Sequence, residues 1–196
     1  MSRPEGYFAA IQAVLTRHGI LCLADEIVCG FGRTGNWFGC ETVGMQPDMM
    51  ALAKGLSSSY FPISAVLLSE PIYAALRAIN EQGTLFGHGF TNSGHPVGAA
   101  VALETLRIYE EMDLVAHVRH MGERLRGHLG AIAARSNIVG QVRGAGLMLG
   151  VELVASPADG TPFPPDARVG ARIDEVALEN GLIIRAMATS SASARR

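Results

Sequence analysis

The chain has 196 residues, 48% of them apolar and 17% charged, with a formal net charge of −2. That allows one domain, or a domain and a half, around a substantial core. The positive residues form no basic stripe, and no apolar run is long enough to span a bilayer, which argues against nucleic acid and membrane as partners.

The N-terminus, Met1-Ser2-Arg3-Pro4-Glu5-Gly6, has no secretory apolar stretch. Cys22, Cys29 and Cys40 are an odd set without CxxC spacing, which suits reduced thiols and a cytoplasmic location. Gly6 to Arg17 is predicted helical, with Phe8, Ile11 and Leu15 on one face. Ile20 to Ala24 reads as a buried parallel strand, Met49 to Leu52 leads into Lys54, and Ile63 to Leu68 is again strand-like. Glu70 to Asn80 reads as a helix, followed by a Gly-rich loop from Gly83 to Gly94.

Pro96 opens a further helix with Val97, Val101, Ile108 and Met112 on a stripe expected to pack in the core. Another helix covers about Leu114 to Arg135. Strands are expected over Ile138 to Val142 and Leu147 to Val154, joined through Gly144 and Gly146. Ser156 to Asp166 reads as a loop, Val169, Ile173 and Val176 mark a last helix, and Leu182 to Arg185 reads as a short strand. A domain boundary near residue 113 divides an α/β portion, 1–112, from a smaller α+β portion, 113–187. The tail 188–196 has no apolar periodicity and is expected to be disordered or aberrant.

Fifteen arginines accompany a single lysine, Lys54. Arginine stays protonated at any working pH, whereas lysine can lose its proton and attack a carbonyl carbon. Asp25 directly follows the first apolar strand, at the carboxyl end where α/β proteins place ligand-binding groups. An isolated Asp there is more simply a turn carboxylate. Lys54 follows it after twenty-nine residues, on the next segment. Pyridoxal phosphate needs such a pair, a lysine for its aldehyde and a carboxylate for its pyridine nitrogen. Gly30, Gly32 and Gly35 spell GxGxxG, but Asn36-Trp37-Phe38-Gly39 is no helix opening, so a dinucleotide fingerprint is not expected. His117 and His120 lack a third ligand, and no metal is expected.

The segment from Asp25 to Gly35, DEIVCGFGRTG, resembles the signature of class III pyridoxal-phosphate aminotransferases. So do Gln46-Pro47-Asp48, Ala53-Lys54-Gly55-Leu56, Tyr60 to Val66 and the GHGFTNSGHP loop from Gly87 to Pro96. The resemblance runs from about Gly6 to Arg185. It implies part of the fold type I large domain, a mostly parallel sheet with helices, plus part of a small α+β C-terminal domain. It implies pyridoxal 5'-phosphate as cofactor, with Lys54 forming the internal aldimine and then serving as base. Asp25 is expected to keep the pyridine nitrogen protonated, and Ile27, two residues along an extended segment, to pack on the ring. Thr91 resembles the threonine that binds the cofactor phosphate of a neighbouring subunit, so a homodimer or larger assembly with shared sites is expected.

Arg185 resembles an arginine that pairs with a substrate carboxylate in some members, and Tyr60 is a candidate for the substrate pocket. The implied reaction moves an amino group from an amine or ω-amino acid to an oxo-acid such as pyruvate. The same residues also fit an aminomutase, decarboxylase or racemase of this fold, or a non-catalytic remnant. Family members are roughly twice as long, so a truncated chain is expected. Ser57-Ser58-Ser59 stands where many relatives carry glycines.

Overall fold

The computed structural model describes residues 4–187; the tail 188–196 lies outside them. The chain divides into two compact units, one running to Ala131 and including Val142–Gly150, the other formed by Ile132–Gln141 and the residues from Val151 on. Helix α1 (Tyr7–His18) half-buries Phe8, Ile11 and Leu15 and ends at Gly19, whose left-handed φ of 60° needs no Cβ. Strands β1 (Leu23–Asp25), β2 (Met49–Leu52) and β3 (Ala65–Leu68) form one sheet in the order β1-β2-β3. β1 pairs with β2 in parallel, Asp25 opposite Ala51, and β3 pairs with β2 antiparallel.

The first strand differs from expectation. It is shorter than the apolar run, and Ile20, Leu21 and Leu23 are exposed. β1 lies at the edge of the described sheet with β2 as its one neighbour, so its apolar side chains lack a second flank.

Between β1 and β2 lies one five-residue helix, α2 (Gly39–Val43), which starts four residues beyond Gly35. The loop at Gly30–Gly35 therefore feeds no long helix, and a dinucleotide fold is excluded there. Helix α3 (Glu70–Glu81) follows β3, then α4 (Pro96–Glu111) and α5 (Leu114–Arg135). Asp113, with φ 45°, separates α4 from α5.

The core of the first unit gathers Phe31, Leu52, Leu56 and Ala102, with Trp37, Phe38, Ile63 and Tyr109 packed around them. α4 enters it by a different face from the one its aliphatic spacing predicts. Gly98, Ala102 and Thr105 are buried, while Val97 and Met112 are 54% and 65% exposed. Ile108 is exposed as well. The reason is close approach: a Cβ on Gly98 would stand 2.8 Å from the Phe61 ring. Small residues let the α4 backbone meet Phe61 and Ile63, and Val97, Ile108 and Met112 turn outward while Tyr109 stays packed on the core.

A second close approach involves α5. A Cβ on Gly122 would lie 2.5 Å from the Gly146 carbonyl oxygen, and one on Gly146 would lie 2.5 Å from the Thr34 carbonyl carbon. Leu147 donates its N–H to the Arg33 carbonyl at 3.2 Å. Arg119 of α5 donates to the Gly35 carbonyl at 2.5 Å and to Asn36 Oδ1 at 2.9 Å. The Gly-rich loop is thus a packing element clamped by α5.

Strands β4 (Val139–Ala145) and β5 (Met148–Leu153) form a two-stranded sheet, and α6 (Val169–Glu179) comes after the loop beyond it. Leu182 to Arg185 is not a strand. Its path is held instead by a side chain, since Asp174 of α6 accepts the Ala186 N–H at 3.0 Å. No described helix is long and apolar enough to cross a membrane, and no group of three or more metal-ligating residues occurs among the described residues.

Gly98→Val will destabilise the chain by about 1–3 kcal/mol through overpacking against Phe61. Val97→Ala, one residue away and exposed, will change stability by less than about 0.5 kcal/mol. Chemical denaturation midpoints of the two variants check the pair.

Candidate active site

β1 and β2 run in the same direction, so their carboxyl ends lie side by side. Asp25 is the last residue of β1, opposite Ala51, and Lys54 stands two residues beyond the end of β2. Glu26 extends the pairing by donating its N–H to the Ala51 carbonyl at 3.0 Å. Neighbouring strands are spaced by about 4.8 Å, so the backbones of Asp25 and of the segment leading to Lys54 leave the sheet at the same end.

Asp25 Oδ1 accepts the Ile27 N–H at 3.1 Å, and the Gly30 N–H bonds the Glu26 carbonyl at 2.9 Å. These bonds turn the chain directly after Asp25. Ile27 therefore lies in a turn and not on the extended segment that the sequence suggests. Ile27 is half-buried, and Asp25 Oδ2 accepts no hydrogen bond from the described residues.

Lys54 opens a single 3-10 turn, Lys54–Leu56, with φ 46°. The left-handed region is unfavourable for a residue with a Cβ and persists where surrounding contacts over-determine it. Those contacts are identifiable. Leu56 and Ser57 donate their N–H groups to the carbonyls of Ala53 and Lys54 at 3.1 and 3.2 Å. Ser57, 2% exposed, donates its hydroxyl to the Phe61 carbonyl at 2.6 Å. Tyr109 of α4 donates its phenol to the Gly55 carbonyl at 3.0 Å. Phe31 covers Gly55 so closely that a Cβ there would lie 2.9 Å from its own. The Lys54 side chain itself is exposed and makes no ion pair or hydrogen bond among the described residues.

Ser58 and Ser59 continue the strain, with φ 49° and 69°. Their size is unremarkable, but their conformation is one that glycine adopts at lower cost.

Three residues escaped sequence reasoning. Glu26 is 3% exposed, and its carboxylate accepts the N–H groups of Gly39 and Cys40 at 2.8 and 2.6 Å. It folds the Gly-rich segment back onto β1, and the only sequence signal for it is a charged residue directly after Asp25. Ser57 and Tyr109 had no signal, because their partners are backbone carbonyls. Glu26 also acts on its neighbours. The Cys40 thiol is pushed up from 9.0 to about 11, first by burial and then by the Glu26 carboxylate. Burial, followed by Glu26 and Asp25, likewise raises Cys29.

The remaining candidates belong to other segments of the chain. Thr91 sits in an exposed turn of the loop before α4, where Phe90 donates its N–H to Ser93 Oγ at 2.9 Å. Tyr60 is 85% exposed and, with Ser58, Pro96, Val97 and Val101, lines an open apolar cleft of about 820 Å³. Arg185 belongs to the second unit, exposed in the segment after α6.

The sequence matches the family described as aminotransferase class-III over residues 1–194. The chain belongs to the class III aminotransferases. Among curated relatives, an uncharacterized aminotransferase of Sinorhizobium fredii is 46% identical over 184 residues, 94% of this chain and 39% of that protein. A diaminobutyrate–2-oxoglutarate transaminase of Halomonas elongata is 45% identical over 94% of this chain and 39% of its own. The class III aminotransferase fold is also met in solved structures. A transaminase with L-alanine aligns at a TM-score of 0.89 with 48% identity, covering 95% of this chain and 44% of that one. An omega transaminase from Pseudomonas jessenii in complex with PMP aligns at 0.89 with 44% identity, covering 95% and 41%. The chain thus spans about two fifths of the length of the curated relatives it matches.

The local chemistry has two measurable outcomes. Cys40 holds its proton more tightly folded than unfolded, so its contribution to stability is present below pH 9 and lost as pH rises through about 11. Alkylation of native Cys40 will be slow at pH 8 and faster in Glu26→Gln, as mass spectrometry of iodoacetamide-treated chain will show. Ser58→Gly will raise the unfolding free energy by about 0.5–1 kcal/mol by relieving the left-handed serine, read from the denaturation midpoint.

Proposed function

We propose that this chain carries the cofactor-holding edge of a pyridoxal-phosphate-dependent transaminase, which moves an amino group from an amine or ω-amino acid to an oxo-acid such as pyruvate. The observation that supports this best is the placement of Asp25 at the end of β1 and of Lys54 two residues beyond the end of its parallel neighbour β2. The donor set fits the cofactor: an amine free of partners among the described residues, a carboxylate with one oxygen free, and a half-buried aliphatic residue two positions after the carboxylate. When bound, pyridoxal phosphate supplies an aldehyde that receives the amino group and a ring that spreads the charge left by a departing C–H proton.

The chain's own residues would then divide the work. Asp25 would accept a hydrogen bond from the ring nitrogen and keep a proton there, a charge-assisted contact of about twice the ordinary strength. Lys54 Nζ would hold the cofactor covalently and, once released, would carry a proton from the substrate carbon to the cofactor carbon that receives the amino group. Ile27 packs on the ring face. Thr91, exposed on its loop, binds the cofactor phosphate of a neighbouring subunit, so the working form is a homodimer or larger. Arg185, whose guanidinium fork suits a carboxylate, recognises the substrate's acid group, and Tyr60 contacts the substrate. Three free cysteines are consistent with a reducing cytoplasm.

Borohydride reduction of the 196-residue chain with pyridoxal phosphate, followed by peptide mapping, tests the assignment. A covalent pyridoxyl group confined to Lys54 is expected, and it will be absent from Lys54→Ala. Because Lys54 is the only lysine, the Met1 amine is the sole competing primary amine in the chain. Labelling at Met1 alone would sink the assignment. Asp25→Asn will slow labelling by about tenfold or more, the loss expected of a charge-assisted bond.

A further inference from the structure

Lys54 is held in a backbone conformation that a lysine does not choose for itself. A turn of this kind is only as well placed as the contacts that enforce it. Most of those contacts are local, arising between Ala53 and Phe61. Two come from far away in sequence: Phe31 closes on Gly55, and the Tyr109 phenol, fifty-four residues on, donates to the Gly55 carbonyl at 3.0 Å. Gly55 is the residue directly after Lys54, so this bond fixes the peptide plane at the base of the lysine turn.

The setting makes the bond specific. Tyr109 is half-buried and packs against the cluster of Phe31, Leu52, Leu56 and Ala102, which also contains the end of β2. The Phe31 side chain closes on Gly55, and Phe31 itself has a left-handed φ of 62°. Gly55 is therefore confined by Phe31 packing on its Cα and by the phenol on its carbonyl. A half-buried phenol gains most from a satisfied hydrogen bond, and the carbonyl of a turn residue offers it an acceptor free of the ladder. The α4 helix reaches this point because Gly98 allows it to approach Phe61.

We infer that Tyr109 is a positioning residue for Lys54. Its phenol sets the Gly55 carbonyl, and through it the left-handed turn from which the Lys54 amine is presented to an aldehyde. This rests on the reading of Lys54 as the cofactor-holding lysine. Tyr109 acts through the backbone.

The test is Tyr109→Phe in the full 196-residue chain, which removes the hydroxyl and keeps the ring, with Tyr73→Phe on α3 as control. Amide hydrogen exchange in the absence of cofactor reports on the turn, and borohydride trapping with pyridoxal phosphate reports on the amine. In Tyr109→Phe, exchange at Leu56 and Ser57 is expected to quicken about tenfold while α5 exchanges as before, and trapping at Lys54 to slow about tenfold. The control is expected to match the unsubstituted chain in both. Unchanged exchange at Leu56 and Ser57 overturns the inference, and so does faster exchange with unchanged trapping. Faster exchange spread evenly through α4 and α5 also overturns it, because that signals general destabilisation. An unsubstituted chain that takes no label at Lys54 overturns the cofactor reading instead. Exchange at Leu56 and Ser57 then decides alone whether Tyr109 holds the turn.

Discussion

The parallel pairing of β1 with β2 is the constraint on which the candidate site depends. Asp48 secures its entrance: its carboxylate accepts the Cys22 N–H at 2.7 Å, and the Cys22 carbonyl accepts the N–H groups of Asp48 and Met49. The bond from the Glu26 N–H to the Ala51 carbonyl secures its exit. Between these clamps the register allows no slip, and a slip of one residue would turn Asp25 to the other face of the sheet. Parallel strands place their carboxyl ends together, so the backbones of Asp25 and of the segment leading to Lys54 leave the sheet at the same end.

Around that edge the structure uses backbone carbonyls and N–H groups as anchors. Glu26 commits both carboxylate oxygens to the N–H groups of Gly39 and Cys40, which returns the Gly-rich loop to the strand it left. Arg119 holds the same loop from α5 by the Gly35 carbonyl. Buried polar groups of this kind persist because they are satisfied, and each would be costly to leave unpaired. The Lys54 turn obeys the same rule, with Ser57 and Tyr109 as donors. Strain at Lys54, Ser58 and Ser59 is thus set against hydrogen bonds and packing from segments that carry no chemistry of their own.

Glycine has two distinct uses here, and only one is conformational. Gly19 supplies a left-handed helix end. Gly98 and Gly122 sit in ordinary helix, where the missing side chain lets α4 meet Phe61 and lets α5 meet Gly146. The outward turn of Val97, Ile108 and Met112 accompanies this close approach.

Much of this was legible in the chain itself. The motifs around the lone lysine and the strand-end carboxylate identified the family. Helix positions came from periodicity: Leu114–Arg135 was read correctly to the residue, because a long amphipathic pattern with clear stops carries its own evidence. The choices made by distant contacts were beyond the sequence. Periodicity assigned the face of α4 by hydrophobicity, and Gly98 against Phe61 reversed it. Extended geometry was assumed through Ile27, and the Asp25 carboxylate bent the chain there. Leu182 to Arg185 has strand composition, yet Asp174 of α6 ties down the next residue, Ala186, and no strand forms. Local propensity is written residue by residue, whereas a strained lysine turn needs Phe31 and Tyr109 to arrive from distant segments while Ser57 holds it locally.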